Sequence, residues 1–258
     1  MPHAAAHSST ILLFSLLPVL VMVAGATLAV WRAPGPALRS AILHFAAGVV
    51  FSVVAVELLP DIVRQHAPLE VGLGFGLGVA TMFGLRQLTR KLEDANAPST
   101  PEPTTAASTP AAPSRLPWGL LVGVGIDIFI DGLLLGIGFA AGAKEGTLLA
   151  VALTIELLSL GLATAVQLRE DGHGKAQTVG IVAGTSLLLL AGAGLGTTLL
   201  SGASGNLLEI VLSFGLAALL FLVTEELLLE AHEEPESPWL TSAFFVGFLL
   251  FLLLGMLV

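Results

Sequence analysis

Residues 117–142 read PWGLLVGVGIDIFIDGLLLGIGFAAG, and the only ionisable side chains in that run are Asp127 and Asp131. About 20 consecutive apolar residues cross a bilayer as a helix. The run is therefore long enough to span, and it holds two carboxyls near mid-depth. A carboxylate there costs several kcal/mol unless something positive compensates it. The next apolar run, 145–168, holds Glu156 in a matching setting. Ile126-Asp127 with Gly132-Leu133, and Ile155-Glu156 with Gly161-Leu162, both fit Ile-acid-x-x-x-x-Gly-Leu. No Lys or Arg lies near either acid in sequence, so the missing positive charge points to a proton or a metal cation.

Working outward, the composition is that of an integral membrane protein. The chain has 258 residues, 55% hydrophobic and 11% charged, against about 25% charged in an average soluble domain. Mean hydropathy is +0.93. Apolar runs of helical length exclude a β-barrel, whose strands alternate over about ten residues. With no cysteine, disulfides and thiolate metal sites are ruled out. The net charge of −9 disfavours nucleic acid and anionic cargo and suits cations.

Eight segments qualify as spans: roughly 10–31, 38–60, 69–90, 117–142, 145–168, 177–201, 205–230 and 239–258. The expected fold is an all-α polytopic membrane protein with eight transmembrane helices. The first segment lacks a basic flank and is read as a retained helix, not a signal peptide. Residues 93–115, rich in Pro, Ala, Ser and Thr, cannot bury enough apolar surface to fold alone. They read as a flexible cytoplasmic linker between helices 1–3 (residues 1–92) and helices 4–8 (residues 116–258). Loops 1–2, 3–4 and 5–6 hold Arg32, Arg39, Arg86, Arg90, Lys91, Arg115, Arg169 and Lys175, and the other side holds only Arg64 and Lys144. This bias places those loops in the cytoplasm and both termini outside, as expected for a multi-pass protein of the plasma (inner) membrane. Loop 7–8 is on the inner side yet acidic, with Glu230, Glu233, Glu234 and Glu236.

Helix 2 ends Glu57-Leu58-Leu59-Pro60-Asp61, and helix 7 ends Glu226-Leu227-Leu228-Leu229-Glu230. Each reads acid-Leu-Leu-x-acid, with carboxylates four apart on one helical face. The two helices run in opposite directions, as do helices 4 and 5 with their shared signature. Inverted repeats of this kind mark secondary transporters, with the cargo site near the repeat axis.

Asp127 and Asp131 are one helical turn apart, close enough to share an ion. Glu156 approaches them if helices 4 and 5 pack as an antiparallel hairpin. Three oxygen-ligand residues then form a divalent-cation site. The bland alternative is a set of protonated, hydrogen-bonded structural acids. Glu57 is a candidate entrance ligand, and Glu225, Glu226 and Glu230 lie toward the inner end of helix 7. His44 alone on its helix reads as a hydrogen-bonded structural residue before it reads as a ligand. Gly123, Gly125, Gly132, Gly136 and Gly138 in helix 4, Gly161 in helix 5, and Gly72 to Gly78 in helix 3 are signals of close helix contacts.

At these residues the chain resembles the ZIP (Zrt/Irt-like) family of divalent metal transporters. Helix 2 of that family typically reads Ala-Gly-Val-Phe-Leu-Ala-Thr-Gly-Phe-Leu-His-Leu-Leu-Pro; here it is Ala47-Gly48-Val49-Val50-Phe51 through Glu57-Leu58-Leu59-Pro60. The family's helix 4 motif His-Asn-x-Pro-Glu-Gly becomes Asp127-Ile128-Phe129-Ile130-Asp131-Gly132. Its helix 5 motif becomes Glu156-Leu157-Leu158-Ser159-Leu160-Gly161, and the His-Glu pair of helix 7 becomes Glu225-Glu226. The helix 4 histidine and both prolines are absent, and leucines stand at two acidic positions of helix 5. The resemblance implies a 3+2+3 inverted-repeat bundle in which helices 1, 4, 5 and 6 move against 2, 3, 7 and 8, within a homodimer in the lipid bilayer. It implies a divalent metal cation as substrate (zinc, manganese or iron). The sequence shows no paired His-acid constellation with a nucleophile and no cofactor motif, so no enzymatic activity and no organic cofactor are expected, and the acidic charge leaves no nucleic-acid partner expected. Metal would enter at Glu57, bind at Asp127, Asp131 and Glu156, and leave past Glu225, Glu226 and Glu230. Zinc favours N and S ligands, and an all-carboxylate site also accepts harder ions. The rival readings are a proton-coupled carrier of another small cationic solute, and a non-transporting scaffold or sensor on the same fold.

Overall fold

The computed structural model describes residues 2–96, 116–200, 205–232, 235 and 237–257. Among them every secondary-structure element is helical. The helices are α1 (Pro2–Trp31), α2 (Pro36–Arg64), α3 (Pro68–Asn96), α4 (Trp118–Ala141), α5 (Ala143–Glu170), α6 (Lys175–Leu200), α7 (Asn206–Ala231) and α8 (Pro238–Leu257). All eight are long and apolar enough to cross a membrane. The chain is an all-α, multi-pass membrane protein, as its apolar runs predict. Helix α3 continues to Asn96, a few residues into the expected linker. The rest of that linker, 97–115, and Glu233, Glu234 and Glu236 of the acidic loop lie outside the described residues.

Local chemistry sets the helix ends. Proline opens α2, α3 and α8, where its missing N–H is not needed and its φ suits the first turn. Helices α4 and α5 are separated by Gly142 alone, which makes them antiparallel neighbours. Helix α5 ends in a Schellman motif: His173 N–H donates to Leu168 C=O at 3.0 Å and Gly172 N–H to Arg169 C=O at 3.1 Å. Gly172 has φ +86°, a left-handed conformation that glycine adopts without a Cβ penalty.

Packing divides the helices into two groups. Helix α4 packs most extensively on α6 and α1 on α5; α2 packs on α8 and α3 on α7. Each pairing is a backbone contact made possible by glycine. A Cβ on Gly132 of α4 would meet Leu189 O of α6 at 2.1 Å, and one on Gly192 of α6 would meet Phe129 O at 2.1 Å. Gly161 of α5 lies as close to Met22 O of α1, Gly48 of α2 to Phe244 O of α8, and Gly74 of α3 to Ile210 O of α7. A Cβ added at Gly72 or Gly76 would meet nothing within 4 Å among the described residues, so only part of the expected glycine face of α3 is a contact face. Helices α1, α4, α5 and α6 thus form one group and α2, α3, α7 and α8 the other. The groups meet where α2 lies against α5 and where α3 and α7 lie against α4. One buried apolar cluster fills that seam, with Val54 and Leu58 of α2, Leu134 and Ile137 of α4, Leu149 and Leu153 of α5, and Leu212 and Leu216 of α7.

Two departures from regular helix have no signature in the sequence. Val54–Leu58 in α2 and Leu222–Leu227 in α7 each form a π-helical turn. Such turns insert one residue into an α-helix and recur at functional sites. Here one holds Glu57 and the other holds Glu225 and Glu226. The insertion also rotates the downstream residues about the helix axis. Residues four apart therefore do not share a neighbour: Glu57 turns to Lys144 and Asp61 to Arg64.

Candidate functional site

Four carboxyls from three helices gather at the seam. Asp131 of α4 and Glu156 of α5 are 1% and 3% exposed and lie within electrostatic reach of one another. Asp127, one turn earlier on α4, is half-buried and meets Glu226 of α7 side chain to side chain. Asp131 also feels the charges of Asp127 and Glu226. The antiparallel α4–α5 hairpin brings Glu156 to the aspartates, as the short 142–145 connection predicts. Glu226, in the π-turn of α7, belongs to this cluster as well.

Glu57, Glu225 and Glu230 each have a basic partner. Glu225 pairs with Arg86 of α3, and Glu230 with Arg39 of α2. Lys144 Nζ lies 3.7 Å from Glu57 Oε2. Arg86, Arg39 and Lys144 served in the sequence only to orient the chain. They come from 139, 191 and 87 residues away, and no local pattern signals the pairing. The Arg86 guanidinium also acts on Glu226.

A cavity of about 430 Å³ leads from the ends of α3, α4 and α7 to Asp127. Arg86, Arg90, Asp127, Glu225, Glu226 and Glu230 line it. It opens on the side of the 3–4 and 7–8 connections. Beyond Asp127, the buried Oδ2 of Asp131 and Oε2 of Glu156 have no hydrogen-bond partner among the described residues. Orphaned buried oxygens are costly, and hard oxygen donors suit a cation. Yet among the described residues no three His, Asp or Glu side chains stand in the geometry of a metal centre. Like charges with nothing between them push apart, so coordination here requires the carboxyls to close on an ion.

His44 is buried, with Nδ1 2.9 Å from Ser40 C=O, the hydrogen-bonded structural role expected of it. Its ring also packs edge-on against His232, with centroids 5.1 Å apart. Ser40 Oγ donates to Ala231 C=O at 2.8 Å, so with Arg39–Glu230 this end ties α2 to α7.

The Arg86–Glu225 pair is partly exposed, so its removal should be felt modestly. Arg86→Gln should destabilise the protein by roughly 1 to 2 kcal/mol. Arg86→Gln combined with Glu225→Gln should recover most of that loss. Thermal unfolding in detergent, run as a double-mutant cycle, checks it; additive losses would mean the pair does not form.

A scan against protein-family models finds no match to this chain, and no curated protein matches it significantly.

Proposed function

We propose that this multi-pass membrane protein is a ZIP-like carrier of divalent cations, working without nucleotide hydrolysis. Asp127, Asp131, Glu156 and Glu226 form its cargo site. One observation carries the reading: among the described residues these four carboxyls form no ion pair of their own at the seam between two helix groups, while Glu57, Glu225 and Glu230 are each paired. A lipid-embedded cluster of that charge needs cations or protons, and two helix groups meeting at such a site suit alternating access. The pairing of helices is itself suggestive. Exchanging α1 with α6, α2 with α7, α3 with α8 and α4 with α5 maps the main contacts α1–α5 and α2–α8 onto α6–α4 and α7–α3. It also maps one π-turn onto the other. Both features agree with a 3+2+3 inverted repeat.

The cation class follows from the donors. An all-oxygen set favours manganese, iron(II) or magnesium over the N- and S-rich preference of zinc. The homodimer implied by the family is carried over as part of the same proposal.

The carboxyl–carboxyl contact of Asp127 with Glu226 and the absence of a three-ligand geometry among the described residues favour a second reading, a proton-coupled carrier of another small cationic solute. A proton shared between two carboxyls does the work of an ion between them. Proteoliposome uptake of manganese, iron(II), zinc and magnesium, with and without a pH gradient, separates the two. Saturable uptake of a divalent ion without a gradient supports the first reading. Proton flux with no divalent uptake supports the second.

A further inference from the structure

Both mouths of the seam are acidic, and a cavity opens one of them. On the linker side the cavity reaches Asp127. On the opposite side Val54, Leu58, Leu134, Ile137, Leu148 and Leu149 are packed into one buried cluster above Asp131 and Glu156.

Above that plug lies Glu57. Its side chain is 12% exposed. Its Oε1 occupies the space next to Gly255 of α8, where an added Cβ would come within 2.8 Å. Its Oε2 faces Lys144 Nζ at 3.7 Å. Lys144 sits in the first turn of α5, two residues after the Gly142 break. Among the Lys and Arg ion pairs of the described residues, Arg39–Glu230 and Arg86–Glu225 stay within the α2–α3–α7–α8 group, and Asp61–Arg64 within one helix. Lys144–Glu57 joins that group to the other.

We propose that Lys144 is the resting counter-ion of Glu57 and latches the far mouth shut, so that a divalent cation arriving there must displace an ammonium from the carboxylate. The proposal rests on the carrier reading above. Lys144 acts through Glu57 and is a positioning residue. Its chemistry suits the role. An ammonium on a four-carbon stem is a compact point charge that swings away without leaving the chain. At 41% exposure it has water to retreat into, whereas the acid does not. A divalent ion at Glu57 attracts the carboxylate more strongly than the ammonium does and repels the ammonium. The tie between the groups is then released from the side on which cargo arrives. With the latch closed, the acid is never left bare.

The chain has no cysteine, so one introduced thiol is unique. Thr89, on the wall of the linker-side cavity, gives the reporter Thr89→Cys. Its labelling by a membrane-impermeant maleimide, supplied from the linker side of oriented vesicles without any cargo, reads how often that cavity is open. Lys144→Glu sets like charges against each other at the far mouth and should slow this labelling several-fold. Lys144→Arg should leave it unchanged, and Lys144→Glu with Glu57→Lys should restore it. Labelling of Lys144→Glu at the wild-type rate, or failure of the charge swap to restore it, overturns the latch. Should Lys144→Glu fail to fold, Lys144→Gln answers the same question by loss of attraction. Because labelling needs no cargo, an intact labelling response with a blank flux screen removes the carrier reading and leaves the latch. Normal flux with no labelling response does the reverse.

Discussion

Valine in place of Gly132 should leave no folded protein. The Cβ alone would stand 2.1 Å from Leu189 O and 2.9 Å from Ala193 N of α6. Both are backbone atoms, so no rotamer relieves the clash. Helices α4 and α6 would have to separate, opening the contact beside Asp131 along their length. Overpacking of this kind costs about 3 kcal/mol or more, and little drives helices back together in lipid apart from close packing. Size-exclusion chromatography in detergent should show Gly132→Val aggregated or degraded. Gly76→Val, on α3 where an added Cβ would meet nothing within 4 Å among the described residues, should elute as wild type. A monodisperse, thermally stable Gly132→Val would mean the α4–α6 contact is not backbone to backbone.

Asp131→Asn should have the opposite character, with a sound fold and lost transport. The side chain is 1% exposed and its Oδ2 has no hydrogen-bond partner among the described residues. Amide for carboxyl keeps the shape and removes one of several mutually repelling groups. Thermal stability should therefore rise. Divalent-cation flux should fall by ~100-fold or more, since even the partners of metal ligands commonly contribute 10- to 100-fold. Paired unfolding and flux measurements on one preparation test both halves. Undiminished flux would remove Asp131 from the cargo site. A marked loss of stability would show that the carboxyl holds the fold together.

The residues differ in how far their roles can be read from sequence. Helix positions follow from apolar run length, a one-dimensional property, and the eight apolar spans fall within a few residues of expectation, while α3 as a helix runs on to Asn96. The Asp127–Asp131–Glu156 grouping is legible because it needs only a helical turn and a tight hairpin, both local. Sequence alone does not bring Glu226 to Asp127, because that contact crosses helices and falls in the π-turn at Leu222–Leu227, which has no compositional mark. The basic partners escape a sequence reading for a related reason. Arg86 and Arg39 lie on other helices, and which helix faces which is decided by glycine contacts distributed over the whole chain.

Those contacts also determine where change is tolerated. Gly132 and Gly192, Gly25 and Gly161, Gly48 and Gly247, and Gly74 all fix a partner inside their own group. Across the seam, Gly215 meets only the ends of Leu134 and Ile137, at ordinary van der Waals distance. Leucine and isoleucine exchange rotamers at little expense, whereas main chains pressed together do not slide. Each group is thus a stiff plank, and the joint between the planks is greased with aliphatic carbon. Variation in the aliphatic residues of that joint will tune the pace of the machine, while variation in the glycines will decide whether there is a machine at all.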